Sequence, residues 1–253
     1  MTKAVVMISL GVRPWLAHTL TGAKAYAQRC GADFFLEDTE PSHEEFPLPY
    51  LPDSPGRPNK IAYAMKCYVP WKYLSQGYER VLVVDDTCCF NPGAKSLFDI
   101  VPSGTTGIRP TNKEHAERSY KFIRKKARKH AEIDAVEFDL DYYLKSSVVL
   151  YDKSAMPALA PDQVIPAAPL LFASHPHQTL LFFLFLKWRP PVSQYPGHFN
   201  KIPGFALSKQ ERFAIANIKP YLSSKISIYH ITGGYRHREA LIGQICDFFE
   251  ALA

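Results

Sequence analysis

Two adjacent carboxylates, Asp85 and Asp86, close the apolar run in RVLVVDDTCCFNP (residues 80–92), and Thr87, Cys88 and Cys89 follow them. Paired aspartates at a strand end can hold a hard divalent cation, because such ions take oxygen ligands and a diphosphate fills the rest of the shell. The ion then offsets charge that develops on a departing nucleoside diphosphate. Aspartates that only cap the following turn are the alternative. Thr87 is neutral and a weak divalent ligand, so it adds little to a metal site. Side chains alternate along a strand, but the backbone turns where this one ends, which leaves either aspartate able to face a ligand.

Other reactive residues are scattered. His175, His177 and His198 lack the i, i+4 partner of a helical zinc pair. Five cysteines without a C-x-x-C pair signal neither a disulfide framework nor a tetrahedral zinc site, and point to reduced thiols in a reducing compartment. Cys88 and Cys89 suit a role as small apolar filling behind the aspartates. The stretch RSYKFIRKKARKHAE (residues 118–132) offers basic charge with Tyr120 and Phe122 interleaved. A solvated basic helix explains it more simply than a nucleic-acid arm. There is no Walker loop and no Ser-His-Asp signature.

The elements that must position these groups follow a β–α–β order. AVVMISL (residues 4–10) reads as a buried, parallel-type strand ending at Gly11. Trp15, Leu16, Leu20, Ala23 and Ala27 recur at helical spacing up to Gly31. ADFFLED is a second strand. Six prolines between Pro41 and Pro58 predict a surface loop. NKIAYAMKCYVPWKYLSQG (residues 59–77) is helical, with a kink or break at Pro70, and ERVLVVDD is the next strand. Its aspartates thus fall at the carboxyl end of a central strand, where open α/β sheets place ligands. Downstream come a basic helix over residues 113–135, a strand SSVVLYD, a buried helix HPHQTLLFFLFLKW, a late strand KISIYHITGG, and a C-terminal helix from Arg238.

Taken in order, these segments resemble the GT-A nucleotide-sugar glycosyltransferases, most nearly the glycogenin and galactosyltransferase-like group. YAQRCGADFF stands where that group has YA…G-x-D, and YERVLVVDDT matches Y-x-R-V-L-Y-L-D-x-D. LFDI, LKSSVVLYD, HPHQTLLFF, HFNKIPG and HITGGYR match the ELFD, F-N-S-G-V, D-Q, K-F-N and H-x-x-G segments in turn. The resemblance implies one three-layer α/β/α domain over residues 1–253 with a mostly parallel central sheet. Residues 1–110 would form the nucleotide-binding half, and 111–253 the half that receives the acceptor and completes the metal site. It implies catalytic roles for Asp85 and Asp86 and a divalent metal, Mn2+ or Mg2+, held by Asp85, Asp86 and His230. Donor contacts fall to Ser9, Lys60 or Lys66, Gly233, Arg236 and Arg238, with His237 adding charge. Arginine suits phosphate through its planar fork.

The departures are Thr87 at the second aspartate of D-x-D, Lys145 and Ser147 in place of the asparagine and glycine of F-N-S-G, and His177 in place of the aspartate of D-Q. Thr87 leaves two outcomes: Asp86 supplies the missing carboxylate, or the protein binds metal weakly or not at all.

The implied function is sugar transfer from a UDP- or GDP-sugar to a hydroxyl of a glycan, lipid-linked or protein-linked acceptor. Asp139 and Asp141 are candidates for the base of an inverting reaction, and ordinary surface aspartates explain them equally well. A non-catalytic glycosyltransferase-like binding module is the alternative that Thr87 favours. A sugar nucleotidyltransferase would want a richer glycine loop than SLGVRPW. A formal charge of +6 suits anionic small molecules or a membrane surface, and no nucleic-acid partner is expected. The N-terminal MTKAVVMISLG is too quickly polar for a signal peptide, and LLFFLFL is far short of the ~20 residues that span a bilayer. A cytoplasmic protein follows, with peripheral membrane contact left open.

Overall fold

The computed structural model describes residues 1–47, 57–111, 113–130, 133, 136–137, 143–173, 175–204, 207–231 and 235–252. In chain order the elements are β1 (Lys3–Ile8), α1 (Leu16–Arg29), β2 (Asp33–Glu37), α2 (Arg57–Ser75), β3 (Arg80–Asp85), β4 (Cys88–Phe90), α3 (Leu97–Ile100), β5 (Thr106–Thr111) and α4 (Lys113–Ala127). Then follow β6 (Tyr143–Asp152), α5 (Met156–Leu159), α6 (Pro161–Val164), α7 (Pro176–Trp188), β7 (Val192–Gln194), α8 (Lys209–Ala214), β8 (Ile228–His230) and α9 (Arg238–Glu250).

Six strands form the central sheet in the order β2-β1-β3-β6-β5-β7. β1 pairs in parallel with β2 and β3, and β7 pairs in parallel with β5. Only β6 runs against its neighbours, β3 and β5. The sheet is therefore mixed but mostly parallel, as expected. The boundary placed at residue 110 falls inside β5, and β6 inserts between β3 and β5, so the two halves of the chain share one sheet.

Alternation along the strands builds two cores. Val5 and Met7 of β1, with Leu82 and Val84 of β3, pack on one face with Ala23, Tyr26 and Ala27 of α1. Ala4, Val6 and Ile8, with Val81 and Val83, pack on the other with Ile61, Ala64 and Met65 of α2 and residues 180–186 of α7. A strand buried on both faces has no polar side to present, which is why these runs read as continuously apolar. α7 is apolar all round because it lies inside this second layer. A third core joins Cys89 and Tyr229 to Leu241, Ile242, Ile245 and Phe249 of α9.

Several boundaries differ from the sequence expectation. α2 begins at Arg57, so Pro58 sits in its first turn, where a missing N–H costs nothing. The helix also runs through Pro70 without a break. α4 ends at Ala127 rather than at 135. Continuing it would set Arg124 against Arg128 and Lys125 against Lys129, like charges at i, i+4 spacing. The late strand shrinks to the three residues of β8, which pair with β4 in a separate two-stranded sheet and not in the central one. No helix among the described residues is long and apolar enough to cross a membrane.

Candidate active site

β3 ends at Asp85, and the two-residue turn Asp86–Thr87 leads into β4. The period-2 geometry of the strand puts Asp85 on the face of Val81 and Val83, toward α2 and α7. From α2, the Lys66 ammonium forms an ion pair with Asp85 Oδ1. Pro70 has a part in this. It has no N–H to offer the carbonyl of Lys66, one turn earlier. The buried Tyr151 hydroxyl of β6 donates to that carbonyl instead, at 3.2 Å. The turn of α2 that carries Lys66 is thereby fixed to the sheet.

His230 arrives from far along the chain. In the β4–β8 ladder it stands opposite Cys88, and the Ile231 N–H donates to the Thr87 carbonyl at 3.2 Å. This brings His230 Nε2 to 3.4 Å from Asp85 Oδ2. His177, in the first turn of α7, lies close enough to Lys66, Asp85 and His230 to feel the charge of each, and its ring lies 4.8 Å from that of Tyr63.

Asp86 turns the other way, toward β1 and α1. Its Oδ2 accepts from the Ser9 hydroxyl at 3.0 Å and lies 3.3 Å from Arg13 Nε. The Thr19 hydroxyl of α1 donates to its backbone carbonyl at 2.8 Å. The guanidinium groups of Arg13 and Arg238 lie over the Trp15 ring, at 5.7 and 4.8 Å from its centroid. Such stacking adds cation–π attraction and holds both cations beside the aspartate.

The electrostatics divide the two carboxylates. Burial alone would raise the Asp85 pKa, but Lys66, followed by His230, outweighs it and holds the carboxyl well below the usual carboxylate range. Asp86 is shifted upward by burial and by the Asp85 charge, with Arg13, Ser9 and Trp15 opposing. Burial, then Lys66, push the His177 imidazole far below its ordinary value, so it is neutral. The Cys88 thiol is pushed well up by burial and by Asp85, which keeps it protonated and removes it as a nucleophile. His177 Nδ1 and His230 Nδ1 are buried with no hydrogen-bond partner among the described residues. A buried polar atom left unpaired costs about 1–3 kcal/mol, so two of them beside an ion pair mark a place where a polar ligand gains.

The structure thus brings Asp85, Lys66, His230 and His177 together, with Asp86, Ser9, Arg13 and Arg238 beside them. It does not bring Lys60: its ammonium lies 3.9 Å from the centre of the Phe172 ring, and Lys66 takes the position at Asp85. Arg236 and His237 are exposed. Gly233, Asp139 and Asp141 lie outside the described residues. Arg13 was missed in the sequence, although it lies in the loop between β1 and α1, beyond the carboxyl end of β1, where ligand contacts gather. His177 was visible as a histidine without an i, i+4 zinc partner and as a departure from D-Q.

No protein-family model matches the chain, and no curated protein matches it in sequence. Solved structures do. A glycosyltransferase involved in glycosylating the major capsid of PBCV-1 superposes with a TM-score of 0.55 at 11% identity, covering 99% of this chain and 100% of that one. The galactosyltransferase LgtC, solved with donor and acceptor sugar analogues, gives 0.55 at 13% identity over 98% and 95%. Mouse xyloside xylosyltransferase 1 gives 0.51 at 12% identity over 93% and 99%.

The fold is that of the GT-A glycosyltransferases.

On this GT-A fold the residues present do not fit a resident divalent cation. Lys66 places an ammonium on one Asp85 oxygen and His230 an imidazole on the other. Asp86 is occupied by Ser9 and Arg13, and Thr87 brings no charge. Among the described residues no group of three His, Cys, Asp or Glu side chains is arranged to hold a metal. Of the remaining departures, Ser147 lies nearby. Ser147 exchanges hydrogen bonds with Asn200 at 3.0–3.1 Å, and its carbonyl accepts from the Cys88 thiol at 3.5 Å.

Proposed function

We propose that this protein transfers a sugar from a nucleoside-diphosphate-sugar, a UDP- or GDP-sugar, to a hydroxyl of a glycan or lipid-linked acceptor. The observation that carries the proposal is the cluster at the carboxyl end of β3: the Asp85–Lys66 ion pair with two buried, unpartnered imidazole nitrogens beside it. The likeness in fold to LgtC, which was solved with donor and acceptor sugar analogues, supports it. In this proposal Asp85 and His230 orient the donor at the reacting end. His177, neutral and with a nitrogen to spare, contacts a sugar hydroxyl. Lys66, Arg13 and Arg238 face the diphosphate. The acceptor approaches over the half that begins near residue 111, where Lys121, Arg124, Lys125 and Arg128 line a shallow basic hollow that suits an anionic acceptor or an anionic membrane surface. The five unpaired cysteines suit a reducing, cytoplasmic setting.

A panel of nucleotide sugars tested by thermal shift and by product detection checks this. One donor at about a hundred times its Kd should stabilise the protein by about 2.7 kcal/mol, a shift of roughly 5–11 °C for a chain of this length. Thr87 favours a second outcome, a glycan-binding module without activity. In that case oligosaccharides shift the melting temperature and nucleotide sugars do not.

A further inference from the structure

We propose that this protein neutralises the diphosphate of its ligand with its own side-chain cations, Lys66 first among them, and not with a bound divalent metal. The proposal rests on the transferase reading above and concerns the charge chemistry of that same site.

Three independent placements carry it. First, the ammonium of Lys66 sits on Asp85 Oδ1 and the His230 imidazole stands 3.4 Å from Oδ2, so both oxygens that a metal could use are taken, and the Lys66 side chain is only 9% exposed. A divalent ion at Asp85 would stand beside that ammonium, like charge against like charge in a partly dry site where water screens little. Second, the other carboxylate is turned away. Asp86 faces β1 and α1, held by Ser9 and Arg13, and Thr87 supplies no replacement. No described trio of ligating side chains remains. Third, the charges suit a diphosphate as they stand. Lys66, Arg13 and Arg238 surround the two carboxylates Asp85 and Asp86, three fixed cations against two fixed anions. The surplus is positive without any ion, and it is made of the groups that bind phosphate oxygens: an ammonium as a point charge, and guanidinium forks that can take two oxygens at once.

Tyr151 adds a positional argument. Its hydroxyl occupies the Lys66 carbonyl that Pro70 leaves free, so the helical turn presenting the ammonium is anchored to the sheet. A cation that substitutes for a metal must be fixed in advance, because preorganised charge needs no rearrangement when the ligand arrives.

Isothermal titration of the purified chain with UDP and with GDP, in EDTA and again in excess Mn2+, tests the proposal. The nucleoside diphosphate that binds should do so with a Kd that differs by less than roughly twofold between the two conditions. Binding seen only with Mn2+, or tightened more than about tenfold by it, overturns the inference and leaves the transferase reading standing. Binding of neither nucleotide in either condition overturns both. Lys66→Met should weaken binding in EDTA by roughly tenfold or more, while Lys66→Arg, which keeps the charge, should stay within a few fold of the parent. A Lys66→Met protein that melts cooperatively and binds like the parent in EDTA removes Lys66 from the role. If Lys66→Met does not fold, the EDTA comparison on the parent and the Lys66→Arg titration decide.

Discussion

β3 carries a buried cation–carboxylate pair at each end, and the two ends differ in what is left over. At the amino end, Arg80 is 1% exposed, and its Nη atoms donate to the carbonyls of Phe98, Val101 and Pro102. Asp152, 3.9 Å from Arg80 Nε, accepts from the backbone N–H groups of Gly104 and Ser154. The Nη atoms and the carboxylate there are spent on the chain itself, tying α3 and the following turn to the sheet, while Arg80 Nε makes no hydrogen bond among the described residues. At the carboxyl end, Lys66, Asp85 and His230 form an equally compact cluster, yet His230 Nδ1 and His177 Nδ1 find no partner among the described residues. The same residue types build a structural joint at one end and, in the proposed reading, a ligand site at the other. Access separates them: the unmet Arg80 Nε belongs to a side chain 1% exposed, whereas the two unmet imidazole nitrogens stand beside Asp85, whose side chain is 18% exposed.

Substitutions can break or sharpen this contrast. The largest expected effect on folding is Arg80→Ala, which strands Asp152 and three carbonyls and should cost about 3–5 kcal/mol of stability by urea unfolding. A loss below about 1 kcal/mol would mean that the amino-end joint is not structural. Asp85→Asn should lower the proposed sugar transfer by roughly 10²–10³-fold, the scale of removing one preorganised electrostatic group. Its unfolding cost should be smaller than that of Arg80→Ala, since this end is reached by water.

His177→Leu should move stability and function in opposite directions. It removes a buried unpaired nitrogen, so stability should rise by about 1 kcal/mol, while turnover with the bound donor drops roughly tenfold. A loss of both stability and turnover would make His177 a packing residue. The smallest effect is expected from Arg124, Lys125 and Lys126 changed together to glutamate on α4. Nucleotide affinity by titration should stay within about twofold, because exposed charges at a distance are screened, while use of an anionic acceptor falls.

The chain's order of elements was legible because strands covered on both faces must be continuously apolar. AVVMI and RVLVV therefore announced β1 and β3, and Gly31 and Gly77, both at positive φ, announced the ends of the helices before β2 and β3. The meeting of Asp85 with His230 also follows from the order of the motifs, but its means did not. The contact is made through the small β4–β8 sheet, whose three-residue strands are too short to give a periodic signal. Lys66 and Lys60 were equivalent as sequence, since both lie on one helix six residues apart.

The sequence by itself determined that a mostly parallel sheet would end a central strand in two carboxylates, because burial dictates apolar runs and those runs end where charge begins. It also determined that Thr87 would leave one expected carboxylate missing. Only the tertiary structure decided where each carboxylate points. Asp85 takes the face of Val81 and Val83 and meets α2 and α7, whereas Asp86, one residue later and past the strand's last pleat, meets Ser9 and Arg13 in the loop between β1 and α1. A one-residue step at a strand end reverses the side of the sheet, and no local propensity records which helix waits there. The choice of Lys66 was likewise tertiary. Pro70 freed a carbonyl, Tyr151 of β6 took it, and the turn of α2 held in this way presents its lysine to Asp85.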